Sequence, residues 1–168
     1  MNRTASNRIA LLAAAVWLAA CGGMGDPGTG TTPGALRTSK GAITAAAAGS
    51  VAVNGVTFST SGATVKIDDQ PGTEADLKVG MVVRVKGRDD GRTGQAAEIE
   101  FEDQVRGRVD DVAGGLVRIG EQEIEVEHAT EFEDEVSRLA SITPGQDRVR
   151  VSGVATWNGR IRASRVDK

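Results

Sequence analysis

From Gly41 onward, apolar and polar positions alternate in short stretches that are separated by turn residues. The segment MVVRVK, residues 81–86, alternates valine with arginine or lysine, so that Val83 and Val85 share one side. A period of two is typical of a β-strand with one buried and one solvated face, and this part of the chain lacks a sustained period of 3.6. The pattern therefore predicts an all-β fold.

The residues between two of these stretches predict a tight hairpin. Ser50–Val53 and Val56–Phe58 flank the dipeptide Asn54-Gly55. This dipeptide is favoured in two-residue hairpin loops because both positions of such a loop need positive φ.

Thr64–Ile67 predicts a further strand. In the segment QAAEIEF, the positions predicted to point inward are Ala97, Ile99 and Phe101.

The chain matches itself without gaps at an offset of 66 residues, which is 107 minus 41 for Gly41 and Gly107. VRVKG at residues 83–87 falls on VRVSG at residues 149–153. Further matched pairs are Gly49 and Gly115, Val51 and Val117, Ala63 and Ala129, Thr64 and Thr130, Asp68 and Asp134, and Ala97 and Ala163. A repeat of this kind predicts two structural units. These units are residues 41–106 and 107–168, and their predicted buried valines are Val83, Val85, Val149 and Val151.

The length of each unit and its short strands favour a closed sheet. A unit of about 60 residues is marginal by itself, and short strands leave exposed edges unless the sheet closes or is covered. A five-stranded OB-like barrel in each unit meets both requirements; a two-sheet sandwich is the alternative. The segment EFEDEVSRLASI, residues 131–142, predicts one short helix in the second unit. Its apolar residues near helical spacing are Phe132, Val136, Leu139 and Ile142.

The first twenty residues have the layout of a secretory signal peptide. Arg3 and Arg8 precede the uncharged run Ile9–Ala20, and small residues precede Cys21. This run is too short to span a bilayer comfortably, because a spanning helix needs about 20 apolar residues. The sequence thus predicts a signal peptide over residues 1–20. The alternative is a retained membrane anchor followed by an incidental cysteine.

Cys21 is the only cysteine of the chain, and with Leu18–Ala20 it resembles the lipobox of bacterial lipoproteins. The resemblance implies that Cys21 is the lipidation site and the new N-terminus, which removes it as a nucleophile. Several acyl chains on one residue hold a protein at a membrane, because each buried methylene contributes about 0.8 kcal/mol. Gly22 in place of aspartate favours the outer membrane in a host with two membranes. The predicted location is the cell membrane or outer membrane, facing the periplasm or the exterior.

The segment after the cysteine predicts a flexible linker. Residues 22–41 read GGMGDPGTGTTPGALRTSKG, and a stretch rich in Gly, Thr and Pro has little to bury. With the lipidated cysteine included, the predicted linker covers residues 21–40.

The charge of the chain argues against a nucleic-acid partner. Residues 1–20 hold two Arg and no acidic residue, so the 20 basic and 23 acidic residues become 18 and 23 without them, a net charge of −5. Modules that bind nucleic acid usually carry a basic face. We therefore expect no nucleic acid among the partners.

Four stretches together resemble a known bacterial family. They are GAIT from residue 41, GSVAVNGVTFST from residue 49, ADLKVGMVVRVKG from residue 75 and AAEIEFEDQVRGRV from residue 96. The chain resembles the family called domain of unknown function 5666, whose members are often lipoproteins with tandem copies. The resemblance covers residues 41–153 and continues more loosely to the end. It implies an envelope lipoprotein of small β domains and brings no catalytic residues. The second unit departs from the pattern because Gly120 and Glu121 stand where the first unit has Asn54 and Gly55.

Neither the only histidine nor the acidic clusters predict an enzyme. A serine or cysteine triad would have to use His128, yet a lone histidine on a strand is usually a surface residue. Two nearby carboxylates can serve glycoside hydrolysis. In residues 98–103 and 131–135, however, the acids alternate with apolar residues, as on the wet face of a half-buried strand. The turn aspartates lack EF-hand spacing, and neither a metal nor another cofactor is predicted.

Trp157 is the candidate binding residue. The aromatic residues after position 21 are Phe58, Phe101 and Phe132, at predicted inward positions, and Trp157, at a predicted hairpin tip before Asn158-Gly159. The sequence favours a noncatalytic binding or assembly module, anchored to a membrane and engaging an envelope protein or a cell-wall glycan. Two alternatives stay open: a metal-binding or weakly specific hydrolytic domain that uses the acidic clusters, and an OB-like oligosaccharide-binding module.

Overall fold

The computed structural model describes residues 34–133 and 139–168. The first half of this part forms β1 (Ala35–Ala47), β2 (Ser50–Val53), β3 (Val56–Ser59), β4 (Thr64–Ile67), β5 (Gln70–Gly72), β6 (Val82–Asp89) and β7 (Thr93–Phe101). The second half forms β8 (Val105–Arg108), β9 (Asp111–Ala113), β10 (Leu116–Ile119), β11 (Gln122–Glu125), β12 (Glu131–Phe132), β13 (Arg148–Ala155) and β14 (Ile161–Asp167). Two 3-10 helices, Glu74–Asp76 and Leu139–Ser141, are the helices of the described residues. The predicted all-β fold is confirmed.

The strands of the first half close into a five-stranded barrel. β1 pairs with β6 along its first part and with β2 along its second. β2 pairs with β3, β6 pairs with β7, and β3 runs parallel to β7 to close the circuit. The β4–β5 hairpin extends from the remaining edge of β7. This is the predicted OB-like arrangement, and we call it the first barrel.

The second half repeats this circuit with its first strand divided into β8 and β9. β8 pairs with β13, β9 pairs with β10, and β11 runs parallel to β14. Hairpin pairing joins β10 to β11 and β13 to β14. Only Val109 and Asp110 separate β8 from β9, so the same order of neighbours is retained. We call this sheet the second barrel.

Each barrel encloses its own apolar core. Val83, Val85, Val149 and Val151 are each at most 1% exposed, as the alternation predicts. Complete burial of a valine contributes about 1.5–3 kcal/mol to folding. The core of the first barrel is formed by Ile43, Val51, Val53, Phe58, Val65, Leu77, Met81, Val83, Val85, Ala96, Ile99 and Phe101. The core of the second is formed by Val109, Val117, Ile119, Ile124, Ile142, Val149, Val151, Ile161, Ala163 and Val166, with Phe132 partly buried beside them.

The predicted Asn-Gly hairpin joins β2 to β3. Asn54 has φ of 52° and Gly55 has φ of 79°, as a loop with two left-handed residues requires. The second barrel also has a two-residue loop at this place, since β10 ends at Ile119 and β11 begins at Gln122. There only Gly120 has positive φ, at 60°. The loop of the second barrel therefore has a single left-handed residue, the glycine at its first position, where the loop of the first barrel has two.

A β-bulge makes one predicted inward position wrong. Ala97 is exposed, and Ala96 is buried in its place. The register between β6 and β7 shifts between Lys86 and Gly87, which gives β7 one extra residue and reverses the inward and outward sides. A Cβ at Gly87 would lie 2.3 Å from the carbonyl oxygen of Gln95, so the strands approach too closely here for a side chain.

The strand registers locate one extra residue in the second unit. Gly41 pairs with Val83, and Gly107 pairs with Val149, so these strands keep the offset of 66. Beside the bulges, Gly87 pairs with Ala96 and Gly153 pairs with Ala163. Ala163 thus corresponds to Ala96 and not to Ala97, and the offset becomes 67 in the last strand. The extra residue lies in the hairpin between β13 and β14.

The first strand begins inside the predicted linker. Residues 35–40 belong to β1 and pair residue by residue with β6, from Ala35 opposite Asp89 to Lys40 opposite Arg84. The side chains of residues 35–38 and 40 are exposed. Backbone pairing along this part of β1 needs no apolar side chain, so composition does not reveal it. The predicted signal peptide, Cys21 and the linker up to residue 33 lie outside the described residues.

The segment predicted as a helix is divided in the structure. Glu131–Phe132 forms β12, and Leu139–Ser141 forms a single 3-10 turn. Residues 134–138, which include Val136, lie outside the described residues. β12 runs parallel to β14, as β4 does to β7, so the repeat of the barrel takes precedence over local helical spacing.

The two barrels touch through hydrogen bonds that join β6 and its preceding turn to β13 and β14. The Val82 amide donates to Ser152 Oγ at 2.6 Å. Ser164 Oγ donates to the Gly80 carbonyl at 2.5 Å, and Arg165 donates to the Val79 carbonyl at 3.1 Å. These bonds link residues 70 to 86 positions apart, which puts them beyond any local sequence pattern.

Candidate functional site

The hairpin between β13 and β14 presents Trp157 to solvent. The side chain is 98% exposed, although tryptophan is highly buried on average. The hairpin is closed by a bond from the Thr156 amide to the Arg160 carbonyl at 2.8 Å, and Gly159 has φ of 80°. The predicted location of Trp157 at a hairpin tip therefore agrees with its position in the structure.

The hairpin is held against β11 by polar contacts. Gln122 Nε2 donates to the Gly159 carbonyl at 3.0 Å. Arg160 donates through Nε to Glu123 at 2.7 Å and through Nη1 to Glu125 at 3.0 Å. Hydrogen bonds to Glu125 and Glu123 raise the pKa of Arg160, which stays a cation. Trp157 is thus carried on a braced hairpin.

A row of charged side chains crosses the outside of the second barrel beside this hairpin. Asp111 on β9 is opposite Arg118 on β10, and Arg118 is opposite Glu123 on β11. All three are exposed, and Glu123 continues the row to Arg160 through their ion pair. Asp111, Arg118 and Glu123 also line a small pocket of about 120 Å³. We call these four residues the charged row.

Sequence reasoning missed the charged row because its members lie on four different strands or turns. Asp111 and Arg160 are 49 positions apart, 160 minus 111, and only the strand pairing brings them into one line. The 66-residue repeat holds a signal for them. Subtracting 66 places Ala45, Ala52 and Thr57 where the second unit has Asp111, Arg118 and Glu123. The repeat therefore offered one signal: three positions are charged in the second unit and uncharged at the equivalent places in the first unit.

A second concave region lies between the two barrels, with a volume of about 420 Å³. Arg165 and Asp167 on its wall are only 11% and 9% exposed in their side chains. Arg165 Nε lies 2.7 Å from Asp167 Oδ1, but the angle does not make a hydrogen bond, so among the described residues both atoms lack a hydrogen-bond partner. The two charges compensate each other, so the cleft presents no uncompensated charge at this pair.

Three carboxylates of the acidic cluster at residues 98–103 are in ion pairs, namely Glu98, Glu100 and Asp103. Glu98 accepts from Lys66 at 2.6 Å and from Lys86 at 2.8 Å. These bonds lower the pKa of Glu98 to about 2. Asp103 accepts from Arg106 Nε at 2.8 Å, while burial raises the pKa of Asp103. Glu98 thus links β7 to β4 and β6. Asp103 and Arg106 form their ion pair in the segment that leads from the first barrel into the second.

We expect acid to weaken the first barrel through Glu98. Its pKa is 4.5 in the ordinary state and about 2 in the fold. A carboxylate with a depressed folded pKa adds stability above its unfolded pKa, and this stability is lost as pH falls through the folded value. The midpoint of urea unfolding should therefore fall between pH 4.5 and pH 2. In Glu98→Gln this part of the decrease should be absent, and an equal decrease in both proteins would contradict the assignment.

His128 lies in a turn after β11 and is exposed. The sequence placed it on a strand, but β11 ends at Glu125. Within residues 34–133 and 139–168, no group of three or more His, Cys, Asp or Glu side chains is arranged to hold a metal ion. Helices long and apolar enough to cross a membrane are also absent from these ranges.

Comparison with known proteins identifies the family of this chain. The model of the family described as "Domain of unknown function (DUF5666)" matches residues 40–100 and again residues 106–167. The two matched segments correspond to the first and the second barrel. None of the curated proteins compared with the chain matches it.

Proposed function

The chain belongs to the family called domain of unknown function 5666, of which it carries two tandem copies, and from this premise we propose that it is a noncatalytic binding or assembly module anchored to a bacterial membrane. The sequence of residues 1–21 supports the anchor. Its basic start, short apolar run and lone cysteine after small residues are typical of a lipoprotein signal. A lipid on Cys21 would tether both barrels at the envelope surface.

The exposed Trp157 is the observation that carries the binding role. Leaving a large apolar side chain in water forgoes about 1.5–3 kcal/mol that burial would contribute. The braced hairpin nevertheless presents Trp157 at 98% exposure. In OB-type barrels the loop between the last two strands is one of those that contact ligands, and Trp157 lies on that loop. Tryptophan is also enriched among residues that dominate binding interfaces.

The placement of the titratable groups supports a role without catalysis. Glu98 is engaged by two lysines, and Asp103 is paired with Arg106. His128 lies exposed in a turn. A general base needs a partner that orients it and a pKa near the working pH, whereas the pKa of Glu98 is about 2.

The anchor is tested by fractionating cells that express the full chain with a C-terminal tag. We expect the natural protein in the membrane pellet and Cys21→Ala outside it, because the acyl chains supply the membrane affinity. Retention of Cys21→Ala in the pellet, with unchanged migration on a gel, would refute the lipid anchor.

The binding role is tested in the same cells by crosslinking, solubilising the envelope and purifying the tagged protein. Trp157→Ala, which should stay anchored and folded, is expected to lose most of the crosslinked envelope material. Circular dichroism checks the fold, and mass spectrometry identifies what is lost. If Trp157→Ala captures the same material as the natural protein, the hairpin is not the contact.

A further inference from the structure

The two barrels carry different side chains along one equivalent line of their outer surfaces. In the second barrel this line is the charged row. In the first barrel, strand pairing places Ala45 opposite Ala52, Ala52 opposite Thr57, and Thr57 opposite Thr93. Four small uncharged residues thus occupy the line that holds Asp111, Arg118, Glu123 and Arg160 in the second. Because both lines have the same backbone register, barrel stability by itself does not require the charges.

The charged row alternates groups that only accept hydrogen bonds with groups that only donate them. Carboxylates are acceptors, and guanidinium groups are donors. Two acids alternate with two arginines, so the row has no net charge of its own. Glu123 is paired with Arg160 at 2.7 Å, while Arg118 is exposed between two facing carboxylate residues. A neutral ligand with many hydroxyl groups fits this order, since each hydroxyl both donates and accepts.

Trp157 adds an exposed aromatic side chain in the same hairpin as Arg160, the last member of the row. It lies in the hairpin that Arg160 and Gln122 hold against β11. A pyranose ring has one face of C–H groups that stacks on an aromatic ring and an edge of hydroxyls for polar partners. With about 4.8 Å between neighbouring strands, the three strands and the adjoining hairpin make the row about 14 Å long. That length matches a few linked sugar rings better than a monosaccharide.

The hairpin of the first barrel lacks this aromatic side chain. Its turn is Asp90–Arg92, in which Asp90 accepts bonds from the Arg92 and Thr93 amides at 2.8 and 2.7 Å. The extra residue of the second unit lies in the hairpin that carries Trp157. The longer hairpin, the tryptophan and the charges therefore occur together on one barrel.

We propose that the charged row and Trp157 form a binding site for a neutral oligosaccharide on the second barrel. This inference rests on the proposed binding function and names its ligand class. A polyanion such as a nucleic acid is disfavoured, because the row is neutral and binding a phosphate chain relies on excess Lys and Arg. The small pocket of about 120 Å³ at Asp111, Arg118 and Glu123 receives a ring substituent, and the indole receives a ring farther along the oligosaccharide.

Intrinsic fluorescence of the lipidated full chain in detergent tests the site. The chain has two tryptophans and no tyrosine; removal of the signal peptide takes away Trp17 and leaves Trp157 as the sole reporter. The probes are tetrasaccharides of β-1,4-linked N-acetylglucosamine, β-1,4-linked glucose and α-1,4-linked glucose. We expect at least one to change the emission saturably. A short single-stranded DNA at the same ionic strength should leave the emission unchanged.

Variants measured by calorimetry locate the site. Trp157→Ala should weaken binding of the active tetrasaccharide at least tenfold, and Arg118→Ala should weaken it several-fold. Arg92→Ala makes the same arginine substitution on the exposed hairpin of the first barrel and should leave affinity unchanged. Equal affinity of Trp157→Ala, Arg118→Ala and the natural protein would overturn the site.

The ligand class and the proposed binding function fail in different ways. If all three tetrasaccharides leave the emission and the calorimetric heats unchanged while Trp157 is still required to capture envelope material, the sugar assignment is wrong and the binding role stands. If Trp157→Ala also captures the same envelope material, both proposals are overturned.

Discussion

Val85→Asp is expected to unfold the first barrel. Val85 is 1% exposed and pairs with Ile99 at the centre of the β6–β7 ladder. The substitution removes about 1.5–3 kcal/mol of apolar burial and puts a carboxylate where it has no hydrogen-bonding partner, a cost of several kcal/mol more. The sum is comparable to the whole stability of a small domain, about 5–15 kcal/mol.

The neighbouring position provides a matched control for this prediction. Arg84 points outward, with its side chain 45% exposed and 3.3 Å from Glu100. Arg84→Asp loses an exposed ion pair and should cost about 1 kcal/mol or less, since its new carboxylate stays in water. Circular dichroism and urea unfolding compare the two variants. Similar behaviour of Val85→Asp and Arg84→Asp would show that the register of β6 is wrong.

The second large effect is expected at the junction of the barrels, from Gly80→Ala. Gly80 has φ of 87°, and a Cβ there would lie 2.6 Å from the Ser164 carbonyl oxygen and 2.9 Å from Arg165 Cβ. The strained backbone costs about 1–3 kcal/mol, and the clash also separates the hydrogen bond from Ser164 Oγ to the Gly80 carbonyl. We expect calorimetry to show one unfolding transition for the natural protein and two for the variant.

Gly91→Ala separates the clash from the backbone strain. Gly91 also has positive φ, at 91°, but a Cβ there meets no atom within 4 Å. Gly91→Ala should lower the unfolding temperature only because alanine is strained at positive φ, and the protein should keep its single unfolding transition. If the two alanine variants share one transition and the same unfolding temperature, contact at Gly80 does not couple the barrels.

Of the candidate site, only Trp157 was predictable from the sequence. Trp157 precedes Asn158-Gly159, and a turn-forming dipeptide between two alternating stretches indicates a hairpin tip. The charged row was not predictable in this way, because its partners belong to β9, β10, β11 and a hairpin. Which outward residues stand side by side depends on strand order and register, and these are set by closure of the whole barrel.

The sequence by itself determined the all-β class, the tandem repeat and the buried valines. These features follow from local rules, because alternate residues of a strand point to opposite faces. In residues 83–87 the alternation of apolar and charged residues therefore predicts which face is buried. The Asn54-Gly55 loop follows equally from the φ that each residue accepts. Only the tertiary structure decided that residues 35–40 extend β1, that Ala96 replaces Ala97 in the core and that the barrels join at Gly80. Each of these depends on a partner more than 35 positions away in the chain or on a bulge between two paired strands, and neither is visible in the local side-chain pattern.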